Sequence, residues 1–312
     1  MSYPSSVYVE SDRKQMYVRY FGGDDICIAY KLKYSAEPSI VGKRVKECLD
    51  NIDNTDLVQS DSYKSIPWKK RLTVIVSKEN DGMYTITSTY VDHEIMTYSY
   101  IEREKYPSDV SDEELGKGVI SALEYCYNYM LRKELAVYYS DQEGLLFVPM
   151  LISRTGYVTG DFCCCVKAPY NADDIRFAID NVVSFISDNP EDKRTNKERK
   201  ADLPWREYSK YKSMHGFVKT HYSIELHILT DGTYVFLPTL KFDKYDSQYV
   251  VYDCLKKTYN TPITNDDLKE EIFESLKISE LIYKKSLEED KTVHHDIFFG
   301  YVKQLVQERN RN

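Results

Sequence analysis

The chain repeats itself. Tyr20, Gly23, Asp24, Pro67 and Trp68 recur 137 residues later as Tyr157, Gly160, Asp161, Pro204 and Trp205. The offset is 150 by the time Asp81-Gly82-Met83-Tyr84 meets Asp231-Gly232-Thr233-Tyr234. It reaches 153 where Ser111 to Leu115 meets Thr264 to Leu268. A tandem repeat fixes both the number of folding units and their shared topology. The copies span roughly 14–131 and 145–283, in domains 1–140 and 141–312. Copy two gains about 13 residues between its Pro-Trp and its Asp-Gly.

Each copy has the same grammar, extended segments followed by a capped amphipathic helix. Ser111 with Glu114 reads as a capping box, followed by apolar Leu115, Val119, Ala122, Leu123 and Cys126 at helical spacing. Thr264 repeats this with Leu268, Ile272 and Leu276, and Asn171 does so with Ile175, Ile179, Val182, Val183 and Ile186. Pro38 opens a fourth helix with Ile40, Val41, Val45, Cys48 and Leu49 as its stripe. The extended segments are 15–21, 25–34, 71–77, 83–91, 95–101, 145–152, 162–168, 217–229, 233–242 and 247–254. Hairpin turns are expected at Gly22-Gly23-Asp24, Asn80-Asp81-Gly82 and Asp231-Gly232. The fold class is therefore α+β, two tandem similar domains, each an antiparallel sheet covered by helices. Residues 188–202 read as a charged, solvated loop inserted in copy two. Residues 281–312 read as a helical extension, with Ile297, Phe298, Tyr301, Val302, Leu305 and Val306 as its apolar stripe.

Composition narrows the function. No apolar run reaches the 18 or so residues of a membrane span, and the start carries neither a basic nor an apolar signal region. A membrane partner is therefore not expected, and the expected location is the cytoplasm. The net charge is −8, which argues against a nucleic-acid partner and mildly favours a basic one. The 7 cysteines contain no C-x-x-C, so zinc-ribbon and thioredoxin-type chemistry lack their spacing. Cys163, Cys164 and Cys165 would point to alternating faces of a strand, and all the thiols read as small apolar core groups.

No phosphate loop, H-E-x-x-H or G-x-S-x-G is present. The best reactive constellation is the run HYSIELH, where His221, Glu225 and His227 share one strand face, with His215 six residues before His221. Two imidazoles and a carboxylate suit a metal-dependent hydrolase, which stands as the runner-up. Residues six apart on a strand lie roughly 20 Å apart, so separate side chains on a wet face explain the same letters with fewer assumptions. His294-His295-Asp296 are neighbours on a predicted helix and do not converge. The Pro-Trp pairs read as buried indoles. No catalytic residue, metal or cofactor is assigned, and the chain is read as a non-enzyme.

Copy one resembles the immunity proteins of bacterial contact-dependent growth inhibition systems. The parts appear in order as KQMYVRYFGGDDICIAY (14–30), VGKRVKECLDNI (41–52), KSIPWKKRLTVIV (64–76), GMYTITSTY (82–90) and SDEELGKGVISALEYC (111–126). The chain departs from the family in being doubled, and in having Leu268-Lys269 where copy one has Leu115-Gly116. The resemblance implies a protein that binds the C-terminal domain of a cognate toxin, a nuclease by expectation, one to one and blocks its active site. It leaves room for a further host factor in the complex. Acidic and tyrosine residues on extended segments are the expected contacts, namely Asp92, Glu94, Tyr98, Tyr100, Glu102, Glu104 and Tyr106. A third reading is a scaffold for a cellular protein unrelated to toxins.

Overall fold

The structure is a computed structural model that describes residues 5–22, 25–52, 66–67, 70–91, 98–153, 156–241, 249–251, 255–259, 262–288, 304 and 307. The chain forms two compact units, Met1–Leu131 and Arg132–Asn312. The division falls nine residues before the expected 140/141, because the strand at 133–140 pairs within the second unit.

Unit 1 contains β1 (Ser5–Ser11), β2 (Gln15–Gly22), β3 (Asp25–Lys33), α1 (Pro38–Asp50), β4 (Leu72–Lys78), β5 (Tyr84–Val91), β6 (Tyr98–Tyr106) and α2 (Asp112–Met130). Its sheet is antiparallel with order β3-β2-β1-β4-β5-β6. Period-2 alternation turns Val7, Val9, Met16, Val18, Val74, Val76 and Ile86 to one face, where they pack against Val41, Val45, Leu115, Val119 and Leu123 of the two helices. Each such side chain contributes about 1.5–3 kcal/mol on burial. The opposite face is also buried, with Glu10, Tyr17, Arg19, Thr85 and Thr87 all shielded.

Unit 2 contains β7 (Lys133–Ser140), β8 (Gly144–Ser153), β9 (Gly156–Thr159), β10 (Cys164–Val166), α3 (Ala172–Asp188), α4 (Asn196–Ala201), α5 (Met214–Thr220), β11 (Tyr222–Ile228), β12 (Tyr234–Lys241), β13 (Tyr249–Val251), β14 (Lys257–Tyr259) and α6 (Asn265–Glu288). The order β10-β8-β7-β11-β12-β13 repeats that of unit 1, with β9 added on β8 and β14 on β12. The α+β class and the two similar antiparallel sheets are thus present, and α1, α2, α3 and α6 are the four expected helices.

The repetition reaches single atoms. Gly82 and Gly232 both take positive φ, +83° and +85°, in hairpins closed by the same bonds. Glu79 N–H donates to Met83 O at 2.9 Å and Leu229 N–H to Thr233 O at 2.9 Å. Thr89 Oγ1 donates to the carbonyl of Thr73 at 2.6 Å, and Thr239 Oγ1 to that of Ser223 at 2.7 Å. The same two carbonyls accept from the covering helices, Cys126 Sγ at 3.5 Å and Ser279 Oγ at 2.9 Å.

Several sequence expectations give way. Strands β1 and β7 join the sheets although neither belongs to the expected set. Three serines dilute the apolar pattern of β1, and β7 follows α2 with no glycine or proline to mark the boundary. The segment 217–229 is not one strand: Ser213 accepts from Gly216 N–H and caps α5, so the strand begins only at Tyr222. His215 accordingly falls within α5 and not on the strand. Residues 188–202 are not simply a solvated loop. Thr195 and Glu198 form a capping box that starts α4, and Asp192, nearly buried, is gripped by Arg194 at 2.9 Å and Arg199 at 3.1 Å. Leu281 belongs to α6. The expected apolar stripe of the extension, Ile297 to Val306, and the His294-His295-Asp296 run lie outside the described residues. None of the described helices is long and apolar enough to cross a membrane.

Candidate functional site

The second copy departs from the first on the sheet face turned away from α3 and α6. There Ala136, Tyr138, Leu146, Val148 and Cys163 meet Trp205 and Phe217 from the inserted segment. Trp205 is fully buried and stacks on Phe217 at 4.1 Å, and Tyr138 meets Phe217 edge-on at 5.0 Å. The Pro-Trp of copy two therefore buries its indole; Trp68 of copy one lies outside the described residues.

His221 closes this cover. It follows α5 directly, is fully buried and stacks on Phe217 at 3.9 Å. Its Nε2 lies 2.8 Å from Glu143 Oε2, and its Nδ1 lies 2.8 Å from the carbonyl of Phe217. Both ring nitrogens are thus used to fasten α5 to the β7–β8 hairpin.

His227 sits near the other end of β11 with different partners. Strand register sets Glu134 of β7 directly opposite it, and Glu225 precedes it by two residues on the same face. His227 Nε2 lies 3.4 Å from Glu225 Oε2 and 3.6 Å from Glu134 Oε2. Arg132 pairs with Glu134 Oε2 at 2.7 Å and lies over the Tyr157 ring, 4.7 Å from its centroid. His227, Glu134 and Arg132 are buried and Glu225 is half-buried. Burial drives the His227 imidazole down to about 3, so it stands neutral. Burial also raises the Glu134 carboxyl, against the opposing pull of Arg132.

Of the sequence candidates, Glu225 and His227 come together and His221 does not join them. Sequence reasoning missed Glu134, Glu143 and Arg132: Glu134 meets His227 and Glu143 meets His221 only through pairings between distant parts of the chain, and Arg132 joins through Glu134. The expected contact residues fall differently. Asp92 and Glu94 lie outside the described residues. Tyr98, Tyr100, Glu102, Glu104 and Tyr106 are all on β6, at the end of the unit 1 strand order. Glu104 is exposed and accepts from the Tyr106 hydroxyl at 2.7 Å. The Tyr106 ring lies against Gly118 of α2, where a Cβ would overlap it. Burial and then Glu104 push the phenol up to about 12.

The described thiols are set against reactivity. Burial pushes Cys48 up to about 12 and Cys126 up to about 11, and raises Cys163, Cys164 and Cys165. A protonated thiol is a poor nucleophile. Cys163 and Cys165 pack on the Trp205 face and Cys164 on the α3 face, the alternation expected of a strand. A surface hollow of about 480 Å³ beside them, edged by exposed Phe177 and Tyr208, therefore presents no thiolate.

No family model matches the chain, and no curated protein matches it. Among solved structures it is similar to a protein of unknown function from Neisseria meningitidis. That protein is 16% identical, with a TM-score of 0.31 over an alignment covering 40% of this chain and 99% of the other.

Proposed function

We propose that the chain is an immunity protein, which binds the C-terminal domain of a cognate toxin one to one and neutralises it by covering its active site. The supporting observation is a contrast between frame and face. The two units share strand order, hairpin and helix-to-sheet hydrogen bonds down to equivalent carbonyls. Their outer sheet faces have been rebuilt. At the sheet positions where unit 1 buries Glu10, paired with Arg19 and with Arg71 at 3.6 Å, unit 2 buries Tyr138 and Val148. A rigid frame with freely varied faces is what recognition of changing partners requires, since preorganised surfaces lose little entropy on binding.

The charge of −8 fits a basic partner such as the surroundings of a nuclease site. On this reading the contacts are Tyr98, Tyr100, Glu102, Glu104 and Tyr106 of β6, together with Asp92 and Glu94, and the carboxylates serve as charge partners. The protein acts in the cytoplasm of the producing bacterium, and the complex has room for a further host factor.

Co-expression with the toxin domain encoded next to this gene tests the reading. Protected growth and co-purification of an equimolar complex are expected. Continued killing in cells that contain ample folded protein would reject it.

A further inference from the structure

We infer that unit 2 binds a divalent transition-metal ion of the zinc class, held by Glu134, Glu225 and His227. The inference does not depend on the toxin-binding reading. Backbone pairing of β7 with β11 places Glu134 opposite His227, and the pleat puts Glu225 on the same face. The ligand positions are therefore set by the sheet and not by loops. One donor atom from each residue lies within 4.8 Å of the other two. Bonds of about 2.0–2.2 Å in tetrahedral geometry separate neighbouring ligand atoms by roughly 3.3–3.6 Å. The separations from His227, 3.4 and 3.6 Å, already have this value. The remaining separation, between the two carboxylates, is within 4.8 Å.

One imidazole with two carboxylates suits zinc, manganese or iron better than calcium, which takes six or more oxygens. Arg132 plays the outer part. Its ion pair with Glu134 and its seat over Tyr157 fix the carboxylate, as outer partners of ligating groups do.

The first copy shows that the scaffold does not need this cluster. At offset 150, Ile75 and Ser77 stand where unit 2 has Glu225 and His227. Ser6 stands opposite Ser77 as Glu134 stands opposite His227. The two unit 1 hydroxyls simply bond each other at 2.8 Å. Replacing a hydroxyl pair by a buried carboxylate and imidazole, and an isoleucine by a second carboxylate, carries a large desolvation cost. A bound cation offsets that cost.

The test uses the full chain, stripped with a chelator and dialysed, then titrated with Zn²⁺ alone by calorimetry, with metal content of the untreated protein measured by mass spectrometry. One Zn²⁺ per chain and a raised melting temperature are expected. His227→Ala and Glu225→Gln should each weaken binding by at least about tenfold, with the fold intact by circular dichroism. If His227→Ala does not fold, Glu225→Gln decides alone, since its side chain is partly exposed and its shape is kept. Absence of saturable binding, or binding that survives Glu225→Gln unchanged, overturns the inference.

Discussion

Cys126 and Ser279 occupy one position of the repeat and donate to one carbonyl, that of Thr73 or Ser223. The site accepts either atom, so Cys126→Ser should change stability by no more than about 1 kcal/mol in urea unfolding. Gly116 is different. A Cβ there would overlap the carbonyl oxygen of Pro38, and one on Gly42 would overlap that of Asp112. These glycines let α1 and α2 meet backbone to backbone. In helix α2, alanine would gain about 1 kcal/mol over glycine from propensity alone. Overpacking costs typically about 1–3 kcal/mol and more when backbone must move. Gly116→Ala should therefore lower stability on balance, and a rise in the urea midpoint would contradict the close approach. The second copy has Ile179 and Lys269 at these places, and its helices are joined otherwise. Arg176 of α3 donates to Asn265, to the Tyr234 hydroxyl and to the Ile263 carbonyl at 2.9, 2.6 and 3.0 Å. In unit 1, Lys46 serves the equivalent Asp112 and Val110 carbonyl from a different turn of its helix.

The inserted segment of unit 2 forms a separate cover, in which Leu203, Trp205, Tyr211 and Phe217, from the loop after α4 and from α5, pack on the outer sheet face. Trp205 is its central anchor. Trp205→Ala should cost about 3–5 kcal/mol and accelerate hydrogen exchange across 196–221 while α3 and α6 stay protected. Equal acceleration in α6 would show that the cover is not a separate layer. This is also the part least legible in the sequence. Leu115-Val119-Leu123 and its three counterparts announce helices because a 3.6-residue stripe is a local signal, and Asp-Gly announces its hairpins for the same reason. Phe217 and Val218 have strand character, yet the Ser213 cap makes them helical. The charges of 188–202 suit solvent, yet Asp192 is held between two arginines. The half of the candidate site on β11 is readable as His227 and Glu225. The half on β7 is not, because no local pattern tells which residue of one strand will lie opposite a given residue of another.

For the whole molecule, the charge of −8 makes a kinetic prediction. If a basic toxin domain is the partner, its association rate should fall as ionic strength rises from low values towards about 0.15 M, where the Debye length is about 8 Å, while dissociation changes little. An association rate indifferent to salt would point to a neutral partner. Strand order carries a further consequence. In both units the strand that comes first in the chain lies inside the sheet, β1 between β2 and β4 and β7 between β8 and β11. The first strand of each unit is therefore a keystone. Trimming either copy back to its first strong hairpin would split the sheet into two ribbons with raw edges, and such ribbons seek other chains.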